Sequence, residues 1–153
     1  MTFRANKEFI SAVLDIFIES VDPIKQIPGI FSGFVLQPVS QIARVKRHKN
    51  GGNPFGIKEE DGSLVIFSIF PQWENAEDDA VVQATFTSFM DRSKALAKEM
   101  DVFHPWLYQN YANISQDVFG SFGEKNRERL RDIQGKYDPE RMFAKLQPGY
   151  HKL

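Results

Sequence analysis

Two phenols and a carboxamide fall within four residues at Tyr108, Gln109, Asn110 and Tyr111, directly after the aromatic entry Phe103, His104, Pro105 and Trp106. In an extended segment Tyr108 and Asn110 share one face and Tyr111 points the other way. A buried phenol or amide needs a hydrogen-bond partner. The cluster is therefore either a polar network that pins a strand or the polar end of a ligand cavity. At a cavity wall these groups can carry a proton or donate to a developing enolate or polarised carbonyl. His104 lies close enough in sequence to be a proton carrier or a capped structural histidine. His48 and His151 are remote from it, no H-x-x-x-H spacing occurs, and no metal site is expected.

Composition narrows the chemistry. The chain has 153 residues, 42% of them apolar and fourteen of them Phe, and its charges cancel to −1. That length predicts one domain, 1–153, with a real core. The charge balance speaks against a nucleic-acid partner. The absence of cysteine excludes disulfides, thiolate metal sites, a catalytic thiol and a cysteinyl flavin bond. No apolar run approaches the ~20 residues of a membrane span, and the N-terminus lacks a secretory pattern, so a cytoplasmic location is expected. The Asn113, Ile114, Ser115 acceptor sequence is then a chance match.

The elements that must position the tetrad follow from periodicity. Phe9, Ile10, Val13, Leu14, Phe17, Ile18 and Val21 predict a helix from about Asn6 to Val21, ended by Asp22 and Pro23. Ile30 to Leu36 reads as a strand that Pro38 stops or sends to an edge, with Gly33 allowing close approach of another element. Arg44, Lys46, Arg47, His48 and Lys49 form a solvated basic face, or an anion site without a glycine cradle. The run from Asn50 to Gly56 is a tight loop. Leu64 to Phe70 is apolar without alternation, as in a central strand covered on both faces. The acids Glu74, Glu77, Asp78 and Asp79 precede a helix from about Asp79 to Met100 and suit its dipole. Its buried side is Val82, Phe86, Phe89, Met90, Ser93, Ala97 and Met100. Ser121 to Glu124 has a capping-box pattern opening a third helix with the stripe Leu130, Ile133 and Tyr137. A short coil with Phe143 and Leu146 then packs back on the body.

Several of these stretches together resemble a known family. Tyr108 to Tyr111, Gln116, Asp117, Phe122, Gly123, Asn126, Leu130, Arg131, Tyr137 to Pro139, Phe143, Pro148, Gly149, Lys152 and Leu153 are similar to the C-terminus of fungal FAD-linked oxidoreductases of the berberine-bridge-enzyme type. Leu36 to Pro38, Gly51 to Gly56, Trp73 and Glu77 to Asp79 resemble the same family in the same order. The match covers nearly the whole chain and about the last third of a family member. Phe122, where a tyrosine is usual, and Tyr150 with His151, in place of Gly and Phe, depart from the pattern.

The resemblance implies an α+β fold: an antiparallel sheet with helices packed on one face, part of a substrate domain. It implies catalytic roles for Tyr111, Tyr108 and Asn110, with Tyr111 as hydrogen-bond donor or general acid/base. Asn53 and Phe55 would sit near the substrate cavity. Trp73, Trp106 and His104 complete the expected substrate contacts, although the two indoles read equally as core. In the family an N-terminal domain holds the flavin. No G-x-G-x-x-G or Walker pattern occurs here, so tight FAD binding by these residues alone, or any cofactor of their own, is not expected.

Two functions follow as expectations. One is a flavin-independent enzyme of fungal secondary metabolism that folds an apolar polyketide- or alkaloid-like intermediate for cyclisation, isomerisation or a pericyclic step, sealed as a homodimer. The other is a fragment or split partner of an FAD-linked oxidoreductase, active only with a flavin-binding chain.

Overall fold

The computed structural model describes residues 1–40, 52–147, 149 and 151–153. The basic cluster from Arg44 to Lys49, and Asn50 and Gly51 of the predicted loop, lie outside the described residues, as do Pro148 and Tyr150.

Four antiparallel strands form one sheet in the order β2-β3-β1-β4: β1 (Thr2–Arg4), β2 (Phe31–Val39), β3 (Leu64–Gln72) and β4 (Phe103–His104). Two long helices, α1 (Lys7–Val21) and α2 (Asp79–Glu99), pack together on one face. Asn6 caps α1 by accepting from the Phe9 amide at 2.7 Å, and Asp22 and Pro23 turn the chain into a 3₁₀ turn. The stripe on α2 is buried at Val82, Phe86, Phe89, Ser93 and Ala97. Asp79 opens α2 and also accepts from the Trp73 indole at 2.7 Å.

The abundance of Phe has a use here. Phe17, Phe34, Phe67 and Phe89 meet edge to face, with centroids 5.1 to 5.8 Å apart, and Phe3 packs on Phe9 at 4.7 Å. This layer is the main core. Truncating a ring such as Phe89 to alanine would cost about 3–5 kcal/mol.

β3 is covered on both faces by two sets of alternating residues. Val65, Phe67 and Ile69 join the helix-side core, while Leu64 and Ile66 join a second cluster with Val39, Ile57, Trp106, Val118 and Phe122. The coil from 105 to 123 supplies most of that second cover. It stops short of the far end of the sheet, where Phe31, Val35 and Phe70 are 62%, 41% and 44% exposed.

Of the two outcomes expected at Pro38, the edge position is the one found: β2 runs through Pro38, which pairs with Val65, and β2 is the terminal strand of the sheet, where a missing amide is tolerated. Other expectations are corrected. Gly33 pairs with Phe70 of β3, and among the described residues only the Phe31 ring of its own strand lies within 4 Å of where a Gly33 Cβ would stand. Ser121 does not cap α3 (Glu124–Tyr137), whose N-terminus lacks a side-chain cap; it ties the coil by accepting from Leu107 N at 3.0 Å and donating to Val118 O at 2.6 Å. The α3 stripe is only partly covered: Leu130 touches the second cluster, but Ile133 and Tyr137 are exposed. Nor does the last segment pack back as coil. It forms α4 (Met142–Leu146), which leaves Phe143 and Leu146 over 70% exposed.

Candidate functional site

Trp106 anchors the segment that carries the tetrad. Its side chain is 3% exposed, and its amide donates to Nδ1 of His104 at 3.2 Å. An imidazole that accepts at Nδ1 carries its proton at Nε2 when neutral, and Nε2 lies 3.1 Å from Oδ2 of buried Asp61. Burial pushes the Asp61 carboxyl up, but the Lys58 amide, the His104 contact and the Arg4 charge outweigh it and hold the group below its usual value. His104 is thus locked between a carboxylate and the backbone, an arrangement that fixes the start of the coil.

From this anchor Tyr108 continues extended, and residues Gln109–Tyr111 form a 3₁₀ turn closed by Tyr111 N to Tyr108 O at 3.0 Å. The tetrad is therefore not a strand. Residues three apart eclipse in such a turn, which brings Tyr108 and Tyr111 to the same side, whereas an extended chain would have separated them. Their rings meet edge to face at 5.0 Å. Asn110 Nδ2 donates to the Tyr108 oxygen at 2.9 Å, and the Tyr111 hydroxyl donates to Oε1 of Gln37 at 3.1 Å.

The rings continue in both directions. Phe122, Phe55, Trp106, Tyr108, Tyr111 and Phe70 form an unbroken series with neighbouring centroids 5.0 to 6.1 Å apart. The series begins in the buried cluster and ends on the uncovered sheet face, where Tyr111 is 40% exposed. Asn53 supports it by accepting from the Phe55 amide at 3.0 Å. Gly56, at φ +71, lies so close to Phe122 that a Cβ would collide with its carbonyl oxygen.

Of the residues singled out in the sequence, Tyr108, Asn110, Tyr111, Trp106, Phe55 and Asn53 are brought to one face of the sheet, and His104 stands behind them. Trp73 is not among them. It packs with the helix-side core and borders a different, open hollow of about 540 Å³ with Gly29 and Glu74. A second hollow of about 510 Å³ lies between α2 and the coil, and the tetrad lines neither. Sequence reasoning missed Gln37 and Phe70. A glutamine inside an apolar strand, between Leu36 and Pro38, was the available signal. Among the described residues no group of three or more His, Asp or Glu side chains could hold a metal ion. Nor is any described helix long and apolar enough to cross a membrane.

Residues 107–148 match the family model described as berberine and berberine like, a span that contains the tetrad. The chain is 34% identical over 99% of its length to FAD-dependent monooxygenase FUP4 of Fusarium proliferatum, and equally to FAD-dependent monooxygenase tpcD of Cochliobolus heterostrophus. It covers 30% of each. It is also 32% identical over its whole length to a protein named oligopeptidase PhomG' of Diaporthe leptostromiformis, of which it covers 13%. The chain thus spans about three tenths of the two monooxygenases and less of the third relative. No solved structure matches it significantly.

Proposed function

We propose that this chain, which corresponds to part of the substrate domain of berberine-bridge-type FAD-linked oxidoreductases, supplies the substrate-facing wall of a flavin-dependent active site. It becomes active when its open sheet face meets a flavin-bearing region. The observation that carries this reading is the position of the two phenols. They lie beside Gln37 and Asn110 on a surface that is half covered, with the apolar groups Phe31, Val35 and Phe70 left bare around them. The tetrad lines neither of the two hollows described above, and its phenols stand instead on the half-covered sheet face, open to a partner.

The residues present fit one side of a flavin and substrate pair. Hydroxyls and amides next to exposed aromatic edges suit a flat polar ring system, while the sequence lacks a glycine-rich phosphate cradle. When bound, a flavin supplies the hydride acceptor. The chain's own contribution is to orient the substrate on the Phe70 and Tyr111 edges and to give or take a proton at a phenol oxygen.

A chimera tests this. The corresponding three tenths of the Fusarium monooxygenase would be replaced by this chain, and flavin reduction followed with that enzyme's substrate. The expected result is a yellow protein whose reduction slows on the order of 100-fold in Tyr108→Phe or Tyr111→Phe. Unchanged reduction in both variants overturns the reading. So does a colourless homodimer of this chain that turns over a polyketide- or alkaloid-like compound, the outcome belonging to the flavin-free cyclase or isomerase.

A further inference from the structure

The two phenols differ in hydrogen-bond polarity. A phenol has one proton to give and lone pairs that accept. The Tyr108 oxygen accepts from Asn110 at 2.9 Å, and among the described residues no acceptor takes its proton. Tyr111 is the reverse: its proton goes to Gln37 at 3.1 Å, and among the described residues nothing donates to its lone pairs. Both oxygens belong to rings 5.0 Å apart, at the border of a shelf formed by Phe70 and by Phe31, which lies across Gly33.

We infer that Tyr108 donates its hydroxyl proton to a carbonyl oxygen of the substrate while Tyr111 accepts from a substrate hydroxyl, so that the site takes flat aromatic compounds bearing both groups. Gln37 and Asn110 are positioning residues that set the two polarities. The inference rests on the reading of this face as a substrate wall and divides the labour within it. The shelf meets the aromatic body, and the paired phenols read the oxygens on its edge.

Raman spectroscopy of the chain decides the polarity, because the intensity ratio of the tyrosine Fermi doublet separates a donating from an accepting phenol. Because both hydroxyls also meet water, subtracting the Tyr108→Phe spectrum from that of the unmodified chain is expected to leave a more acceptor-like ratio than subtracting the Tyr111→Phe spectrum. Asn110→Asp, which cannot donate, turns Tyr108 into a donor, whereas Gln37→Glu, still an acceptor, leaves Tyr111 unchanged. The opposite assignment in the unmodified chain overturns the inference. With meta-hydroxyacetophenone as probe, binding is expected on the order of tenfold tighter than for acetophenone or phenol. Equal affinity for all three overturns the substrate class. Neither measurement involves flavin, so a chimera that fails to reduce its flavin would sink the oxidoreductase reading and leave these results standing.

Discussion

The Tyr111 hydroxyl donates to the Gln37 amide oxygen across 3.1 Å, joining residues 74 positions apart. The contact fastens the 3₁₀ turn of the tetrad to the terminal strand of the sheet, and so fixes where the phenols stand relative to the bare apolar shelf. Because it is partly exposed, its loss costs little stability. Gln37→Leu should lower unfolding free energy by no more than about 1 kcal/mol in urea titrations. The same variant should loosen the ring pair, seen as weakened side-chain contacts between Tyr108 and Tyr111 by NMR. Unaltered ring contacts would mean that the turn holds itself.

The Asp61 and His104 pair predicts a pH dependence of definite sign. The carboxyl sits below its ordinary 3.8 in the folded chain, so ionisation favours folding above that value, and the contribution fades as pH falls through the lower folded value. Asp61→Asn keeps an acceptor for the Lys58 amide but lacks the charge. Its deficit in urea midpoint should be constant at neutral pH and shrink below about pH 3.8. A deficit that grows in acid would contradict the direction of the shift.

How much of this was legible beforehand varies with the range of the forces involved. The long helices and β3 announce themselves through Phe9, Val13, Val82, Phe86 and Phe89, or through an unbroken apolar run, because period and burial are local properties of sequence. The turn at 109–111 does not. It contains no glycine or proline, and its shape follows from the Trp106 anchor before it and the Gln37 bond across the sheet. An apolar stripe likewise shows which face of α3 would be buried without showing what covers it. Trp73 is ambiguous for a related reason, since an indole suits a core and a cavity wall alike, and here it packs against the helix-side core.

The loop that carries Gly56 offers a sharper test of what holds the ring series. Gly56 is at φ +71, where a side chain is strained by about 1–2 kcal/mol, and a Cβ would also collide with the Phe122 carbonyl. Gly56→Ala should therefore cost about 2 kcal/mol or more by calorimetry or urea unfolding. It should also separate Phe55 from Phe122, reported by a change in the near-ultraviolet dichroism of Trp106. A neutral substitution would show that the loop adjusts freely and does not brace the site.

The bare residues at the C-terminal end carry the last prediction. Ile133, Tyr137, Phe143 and Leu146 are 45% to 75% exposed on α3 and α4, although Asp138 caps α4 well, accepting from Met142 N at 2.6 Å and Phe143 N at 3.1 Å. A helix held in place by its cap while its large apolar groups face water gains nothing from those groups in isolation. Phe143→Ser and Leu146→Ser should accordingly leave the stability of the chain within about 0.5 kcal/mol. In the chimera with the Fusarium monooxygenase the same changes should lower the thermal midpoint by several degrees, because there the groups become buried against the remaining seven tenths of the protein. If the chimera tolerates both substitutions as well as the chain does, this face does not contact the flavin-bearing region, and the tetrad side alone must make the joint.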